Sequence, residues 1–587
     1  MRTREYAWGP TFIDGDTRFR IWAPGQKSVK LRLSGDHVMT SSEGGWFELV
    51  VDGQPLGSPY GFVLSDGRVV GDPASRQQVS DVSGLSILTD PQSYRWQHEN
   101  WAGRPWHEAI IYELHIGTFT EQGTFQAAAS KLERLAELGF TAVELLPIAH
   151  FPGNRGWGYD GVFHYAPHGA YGTPDDYRAF VDVAHGLDLM VFLDVVYNHF
   201  GPEGNFIPEY APQFFRDGKA NPWGAQIAFE EEPVRSFFIE NALYWIEDFR
   251  LDGLRFDAVS EIKDDSRPHI LEELSTVIRE RVTDRPVHLV TENPDNGTDL
   301  LAEGLFVADW NDAFHHVIHN IATGEDTGFF EEVSHAPHDN LRKVMSEGYL
   351  KLGEPTVRKP LPPSASLPPL AFVHFLQNHD QVGNRAVGDR LHMGIDANLH
   401  RTLTSTLLLS PQIPLLFMGD CYKATTPFHY FADYEGDVAD AIRENRAQQA
   451  ENFGGYPLGI SAADIPDPNA EATFLRSKLD WSNARTEEGN EWSSWLQRLI
   501  SVRREQIQPH LGRAAGYSAT VLAAPDQCVF IDWTLDKIVL QLRLNLSNAA
   551  VVLGKGLGTC IWSNPEAGSP LTMPAMSLRV FCIERAL

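Results

Sequence analysis

Buried strand, loop and helix alternate eight times between residues 109 and 418, which predicts a (β/α)8 barrel, an α/β TIM-barrel fold. Short alternating strands, separated by Gly, Pro and Asp turns, precede it and predict an immunoglobulin-like β-sandwich over 1–92. Short strands return at the end of the chain, so the expected organisation is that sandwich, a barrel with inserted loops over 93–507 and a C-terminal β-sandwich over 508–587.

In the first segment, 17–22 (TRFRIW) alternates, Ala23-Pro24-Gly25 turns the chain, and 29–33 (VKLRL) alternates again. Asp72-Pro73 and Asp90-Pro91 punctuate its end. Barrel strands are then expected at 109–116 (AIIYELHI), 141–147 (TAVELLP), 189–195 (LMVFLDV) and 251–258 (LDGLRFDA). The other four are expected at 287–291 (VHLVT), 305–309 (LFVAD), 371–376 (AFVHFL) and 414–418 (PLLFM). Helical patterns fill the gaps. Thr124 caps one that runs through Phe125, Leu132, Leu135 and Leu138 to Gly139, and others occupy 234–249 and 268–282. A doubly wound open sheet is the structural alternative, but no Gly-rich phosphate fingerprint follows the first strand.

Two stretches read as inserts. Residues 198–232, after the third strand, hold Phe200, Phe206, Tyr210, Phe214, Phe215 and Trp223, and a loop of that length in a barrel is usually functional. Residues 359–370 (KPLPPSASLPPL) are proline-rich and read as an exposed strap before the seventh strand. At the C-terminus, strands are expected at 528–533, 538–544 and 577–583.

The 587 residues are 43% hydrophobic and 21% charged, which excludes a mainly disordered, collagen-like or coiled-coil chain. Forty-eight basic against 78 acidic residues give a net charge of −30. Nucleic acid is therefore not an expected partner, because phosphate binding needs a basic face. A neutral, hydroxyl-rich substrate suits such a field, and 15 Trp, 17 Tyr and 33 Phe supply flat faces for sugar rings. Cys421, Cys528, Cys560 and Cys582 form neither a metal cluster nor a dense disulfide framework. Met1 to Pro10 show no secretory pattern and no run approaches the ~20 apolar residues of a membrane span. A cytoplasmic chain with no membrane partner is expected.

In such barrels the C-terminal ends of the strands line the site. Here the third ends in Asp194-Val195-Val196-Tyr197-Asn198-His199, and the fourth carries Asp252-Gly253-Leu254-Arg255-Phe256-Asp257. The fifth ends in Thr291-Glu292-Asn293 and the seventh in Gln377-Asn378-His379-Asp380. Four strands each deliver a carboxylate at one end, more than helix capping explains. Carboxylates converging on a neutral substrate point to glycoside chemistry, in which one attacks the anomeric carbon and another protonates the leaving oxygen. Like charges nearby keep the acid's proton on. Arg255 and Asp257 share a strand face by the period of two, so a fixed cation would hold the attacking group ionised. His199 and His379 can donate to sugar hydroxyls.

These four motifs, in this order, resemble the α-amylase superfamily of retaining glycoside hydrolases and transferases, glycoside hydrolase family 13, over essentially the whole chain. Phe19-Arg20-Ile21-Trp22-Ala23-Pro24 resembles the N-terminal module of its branching, debranching and trehalohydrolase members. The resemblance implies Asp257 as nucleophile, Glu292 as general acid/base and Asp380 as transition-state stabiliser. It implies supporting, substrate-binding roles for Asp194, Arg255, His199 and His379, and a stacking role for Tyr159 in Trp157-Gly158-Tyr159-Asp160. It implies no cofactor and no metal.

Four segments narrow the resemblance to the malto-oligosyltrehalose trehalohydrolase subfamily. They are Tyr112-Glu113-Leu114-His115-Ile116-Gly117-Thr118-Phe119-Thr120, Asn198-His199-Phe200-Gly201-Pro202-Glu203-Gly204-Asn205, Trp310-Asn311-Asp312-Ala313-Phe314-His315-His316, and FLQNHDQVGNRAVGDR at 375–390. The implied activity is cleavage of the α-1,4 bond next to the terminal trehalose of a maltooligosyl-trehalose, with Phe200, Phe206, Tyr210 and Trp223 of the long insert, and Asp420 to Tyr422 after the eighth strand, as candidates for reading the trehalose end. A glucan branching enzyme and a non-catalytic glucan-binding barrel are the alternatives, and monomer or dimer stays open. His315, His316 and His319 have metal-like spacing, but the resemblance implies no metal there. The chain departs from the superfamily at Asp420-Cys421-Tyr422-Lys423, where a second acidic residue is usual, which puts a subsite there in doubt. It departs again at 77–86, a stretch read as drift at a domain border.

Overall fold

Eight parallel strands close into a barrel in the computed structural model, which describes residues 6–13, 15–357, 359–565 and 571–585. The outermost expected residues of the flanking segments, 1–5 and 586–587, lie outside the described residues. The barrel strands are β1 (Ile111–Leu114), β2 (Ala142–Leu145), β3 (Met190–Val195), β4 (Gly253–Phe256), β5 (His288–Thr291), β6 (Ala308–Trp310), β7 (Phe372–Phe375) and β8 (Ile413–Phe417). β8 pairs back onto β1 through Ile111 and Leu415. Each of the eight expected runs contains or overlaps its strand; β8 starts one residue earlier than expected, and β6 starts three later, because 305–307 leads up to the barrel and the strand pairing with β5 starts at Ala308.

Alternation along the strands separates two layers. Ile111, Ala142, Met190, Phe192, Val290, Ala308, Trp310, Val373, Phe375, Ile413 and Leu415 form one interior cluster, and the intervening residues pack outward under the helices. The same parity carries the chain from this apolar floor to a charged upper layer: Ile111 to Glu113, Phe192 to Asp194, Gly253 to Arg255. Register then places Glu113 opposite Glu144 and Asp194 opposite Arg255. Gly253 is required at the base of β4, where a Cβ would lie 2.2 Å from the His288 carbonyl oxygen and 2.8 Å from the Phe192 ring.

The N-terminal strands form two antiparallel sheets, one around Asp16–Trp22 and Trp46–Asp52, the other around Lys30–Arg32 and Pro59–Val63. Phe19 and Tyr60 meet between them with ring centroids 5.0 Å apart. The stretch 77–86 is more than border drift. Val82 packs on Val162, Phe163 and Ala166 of the barrel, and the Gly153 N–H donates to Asp81. The C-terminal strands, among them Cys528–Thr534, Ile538–Asn545 and Ser577–Glu584, form a five-stranded antiparallel sheet. Among the described residues, no helix is long and apolar enough to cross a membrane.

Both inserts are built. The 198–232 stretch contains a short helix, Ile207–Tyr210, and a hairpin of Phe215–Asn221 with Gly224–Ile227. The strap at 359–370 is exposed only in its first part. Thr298 donates to the Pro362 carbonyl (2.8 Å), the Tyr517 N–H to Ala365 (2.6 Å) and the Trp106 indole to Leu370 (2.8 Å). The helix expected from Phe125 to Leu138 is two, Phe125–Ala129 and Leu132–Leu138. Ser130 interrupts them, its hydroxyl donating back to the Ala127 carbonyl.

A buried arginine sets the approach to β8. The helix Ala397–Leu409 ends with carbonyls that have no partner inside the helix. Arg503, fully buried, donates to Leu408 (2.8 Å), Ser410 (2.5 Å) and Gln412 (2.7 Å), fixing the turn from helix to strand. With carbonyls rather than carboxylates for partners, burial pulls its pKa down to about 9. We predict that Arg503→Ala lowers unfolding stability by about 3 kcal/mol or more, since three buried acceptors lose their donor. Denaturant unfolding checks this, and a change below about 1 kcal/mol would contradict it.

Candidate active site

At the C-terminal mouth of the barrel one guanidinium touches three carboxyl groups. Arg255 Nη1 donates to Asp194 (2.5 Å) and Asp257 (2.9 Å), and Nη2 lies 3.6 Å from Glu292. Its Cζ sits 4.3 Å from the Trp310 ring centroid. Arg255 and Asp194 keep only 4% and 3% of their side-chain area exposed, whereas Asp257 and Glu292 keep 14% and 16%. The first pair is therefore foundation, and the second pair faces the cleft.

Each cleft-facing carboxyl is fixed from the other side. The Asn198 amide donates to Asp257 Oδ2 (2.9 Å) and to the Asp257 carbonyl (2.9 Å). Ala258 adopts a left-handed conformation, φ +41°, rare for a residue with a Cβ. That turn lets its N–H donate to Glu292 Oε2 at 2.6 Å. Burial pushes the Glu292 pKa well above the ordinary carboxylate range; Arg255 opposes this, while Asp257 and Asp312 add to it. Burial likewise raises Asp194 to about 6, Asp312 to about 7 and Asp309 to about 8. The site thus offers a carboxylate held beside a cation and a neighbouring carboxyl biased to hold its proton, a pair suited to acid-assisted displacement at an acetal carbon.

Asp380 stands across the mouth, at the first turn after β7. Burial raises its pKa, with His379 and Arg255 opposing. The Asn384 amide donates to Asp380 Oδ1 at 2.6 Å. His379 belongs to a second network. Its Nδ1 lies 2.5 Å from Glu113, its Nε2 lies 2.9 Å from the Tyr159 hydroxyl, and that hydroxyl donates to Asp194 at 2.6 Å. Burial works to lower the His379 pKa, but Glu113 wins and raises it. The Tyr159 ring lies over the His379 ring at 5.3 Å and 21°. Gly158 makes this possible at φ +101°: a Cβ there would lie 1.9 Å from the Pro147 carbonyl oxygen.

Seven expected residues, Tyr159, Asp194, Arg255, Asp257, Glu292, His379 and Asp380, thus stand in one constellation, and His199 adjoins it. His199 contacts Asn198 through Nδ1 and stacks on Trp223 at 5.4 Å and 25°. Trp223, at the hairpin tip, is 49% exposed. Phe200 does not join the cleft. It is 5% exposed and packs against His164, Phe214 and Phe215 at 4.5–5.8 Å, because its side chain turns under the insert. Tyr210 is likewise buried. In the Asp420-Cys421-Tyr422 departure, Cys421 and Tyr422 are internal too. Asp420 accepts from Gln377 (2.7 Å) and Arg390 (3.3 Å), and Cys421 is fully buried against the Tyr112 phenol at 3.4 Å. The missing second carboxylate therefore alters packing, not the cleft surface. His315 contacts the Leu376 carbonyl and His319 pairs with Glu325, and among the described residues no cluster of metal-ligand type is present.

Sequence reasoning left Glu113, Asn384 and Trp310 without roles. Glu113 carried a usable signal, a lone charge inside an apolar strand run. Asn384 carried none, since only the turn after Asp380 brings it back.

Two predictions follow from this geometry. Gly158→Ala displaces the Tyr159 loop and lowers activity about a hundredfold while leaving the circular dichroism spectrum native; normal activity would contradict the loop's role. The Asp312 pKa is raised to about 7, so on the alkaline side Asp312 is ionised and helps Glu292 keep its proton, and Asp312→Asn removes that charge. The alkaline limb of kcat/KM, where an acid loses its proton as pH rises, then moves to lower pH. A limb that stays put or moves up would count against Glu292 as the proton donor.

Comparisons with known proteins agree with the fold and identify the family. The alpha amylase catalytic-domain family model matches residues 91–221. A crystal structure from Salmonella typhimurium, described as a candidate alpha amylase, is 46% identical with a TM-score of 0.94 and covers 99% of this chain and 100% of its own. A pullulanase from Bacillus acidopullulyticus shares the fold at 17% identity and a TM-score of 0.73, covering 99% of this chain and 76% of its own. Malto-oligosyltrehalose trehalohydrolase of Deinococcus radiodurans is 41% identical over 84% of this chain and 82% of its own length. The enzyme of the same name from Rhizobium sp. is 35% identical over 97% of this chain and 98% of its own. A 1,4-alpha-glucan branching enzyme of Streptomyces avermitilis matches only 42% of this chain. With such identity across nearly its whole length, the chain belongs to the malto-oligosyltrehalose trehalohydrolase family of the α-amylase superfamily.

Proposed function

We propose that the protein is a retaining glycosidase that cuts the α-1,4 bond next to the terminal trehalose unit of a maltooligosyl-trehalose, releasing trehalose and a shortened malto-oligosaccharide. One observation carries the chemistry: a buried arginine grips Asp257 while Glu292, within reach of the same guanidinium, is biased towards its protonated form. Asp257 attacks the anomeric carbon and Glu292 gives its proton to the departing trehalose oxygen. Glu292 then takes a proton from water, which displaces Asp257 and regenerates the free carboxylate. Asp380 holds hydroxyls of the distorted sugar, and Tyr159 offers its ring to the same sugar. Asp194, Arg255 and His379 hold these groups in place. His199 lies at the rim with Trp223.

The leaving group departs on the Glu292 side. We assign to that side a groove of about 460 Å3 lined by Ser260, three residues after Asp257, by Asp295, three after Glu292, and by Arg216, Lys219 and Gln226 of the insert hairpin. The hairpin tip carries Trp223. A trehalose unit turns its last ring away through the α-1,1 linkage, so contacts in this groove separate it from a maltose end. The carboxyl groups cannot, because they meet the same α-1,4 bond in both.

We predict that Asp257→Asn abolishes turnover and keeps the fold; activity in a well-folded variant would sink the assignment. Product analysis separates the reading from its rival: maltooligosyl-trehalose yields free trehalose, and amylose yields no branched glucan. Trp223→Ala lowers kcat/KM on maltooligosyl-trehalose more than on plain malto-oligosaccharide, by about tenfold to thirtyfold in the ratio. Phe200→Ala, a packing change, lowers both in parallel together with the melting temperature. Equal losses for Trp223→Ala would leave the trehalose end to other residues.

A further inference from the structure

The helix Gly436–Asn452 lies in the segment between β8 and the closing barrel helix Glu487–Val502. Its surface is mostly exposed, and only Ala439, Arg446 and Ala450 are buried. An arginine is an expensive choice for so small a buried face unless its donors are used. Arg446 Nη1 donates to Asn384 Oδ1 at 2.8 Å and Nη2 to the Gly383 carbonyl at 3.2 Å. Its guanidinium lies 4.7 Å from the Tyr430 ring centroid.

The first of these bonds decides the orientation of an amide. Arg446 can only donate, so the Asn384 oxygen must face it. The Asn384 NH2 is then forced toward Asp380, where it donates to Oδ1 at 2.6 Å and to the Asp380 carbonyl at 3.2 Å. The second bond fixes the end of the short helix His379–Gly383 that carries Asp380. Both contacts therefore converge on one carboxyl group, and both come from a helix outside the eight strand–helix units.

We propose that Arg446 is a positioning residue for Asp380, acting through the side chain of Asn384 and the Gly383 carbonyl. This rests on the reading of Asp380 as the group that holds the distorted sugar. Arg446 does not touch substrate. It removes the alternative amide orientation, in which the Asn384 oxygen would repel the carboxylate, and so keeps Asp380 in a single rotamer. A contact made chiefly in the transition state is felt in kcat rather than in KM.

The test uses the full-length enzyme and trehalose release from maltooligosyl-trehalose. Arg446→Met is expected to lower kcat about tenfold to a hundredfold, with KM changed by less than about twofold. Arg446→Lys keeps the charge but cannot span Asn384 and Gly383 together, so it restores part of the loss. Asn384→Ala is expected to match Arg446→Met, and the double variant to be no worse than the poorer single one. Unchanged kcat in Arg446→Met below its melting temperature, losses that multiply in the double variant, or a loss confined to KM would each overturn the proposal. Should Arg446→Met fail to fold, Arg446→Lys decides: full kcat overturns the proposal and a severalfold loss supports it. Asp380→Asn separates the two layers of argument. Retained activity there removes the reading beneath the proposal, while inactivity there with a normal Arg446→Met removes the proposal alone.

Discussion

A single cation buried among three carboxyl groups organises this protein. Arg255 meets Asp194, Asp257 and Glu292 at once. Burying a guanidinium is costly unless its charge and its donors are matched. Here the match is over-complete, with one positive charge and three groups able to be negative. Three carboxylates around one cation would leave uncompensated negative charge in a largely buried site, which favours one carboxyl keeping its proton. Burial pushes Glu292 well above the ordinary carboxylate range, Arg255 at 3.6 Å only partly opposes it, and Asp257 and Asp312 add to it. The division of labour between two chemically similar side chains thus follows from burial together with where one arginine can reach.

The rest of the mouth reinforces that arrangement. The chain from Glu113 through His379 and Tyr159 ends on Asp194, the carboxylate that anchors Arg255. Ala258 accepts an unfavourable backbone conformation to give Glu292 a donor. The Gly158 turn brings Tyr159 over His379. These contacts join residues far apart in the sequence, from 34 residues between Ala258 and Glu292 to 266 between Glu113 and His379. The network could be assembled only on a closed barrel, where all the C-terminal ends share one rim.

Three buried arginines show how partner type sets the purpose of a buried charge. Arg255 is paired with carboxylates, and its pKa is raised well above the ordinary value despite burial. Arg503 is paired with carbonyl oxygens and is lowered to about 9; it fastens a helix end to a strand. Arg446, paired with an amide and a carbonyl, is lowered to about 10 and reaches the site at one remove. The first serves charge balance, the second backbone satisfaction and the third orientation.

Local pattern alone determined the strands and the strand-end carboxylates. A buried parallel strand reads as an apolar run, and the period of two places Arg255 and Asp257 on one face without further information. Glu292 was visible because it follows such a run directly, and Asp380 because it closes the polar Gln377-Asn378-His379-Asp380 stretch after one. Tertiary structure decided which aromatics of the insert are core and which are surface. Phe200 and Trp223 look alike in sequence, yet one is packed among phenylalanines and the other is half exposed beside His199. It also decided the fate of the departure at Cys421, which lies inside the molecule. Above all it decided the second tier of contacts, from Glu113 to His379 across 266 residues and from Arg446 to Asn384 across 62. Such contacts depend on how strands register and where an added helix docks. Those are properties of the closed barrel as a whole, and no window of sequence contains them.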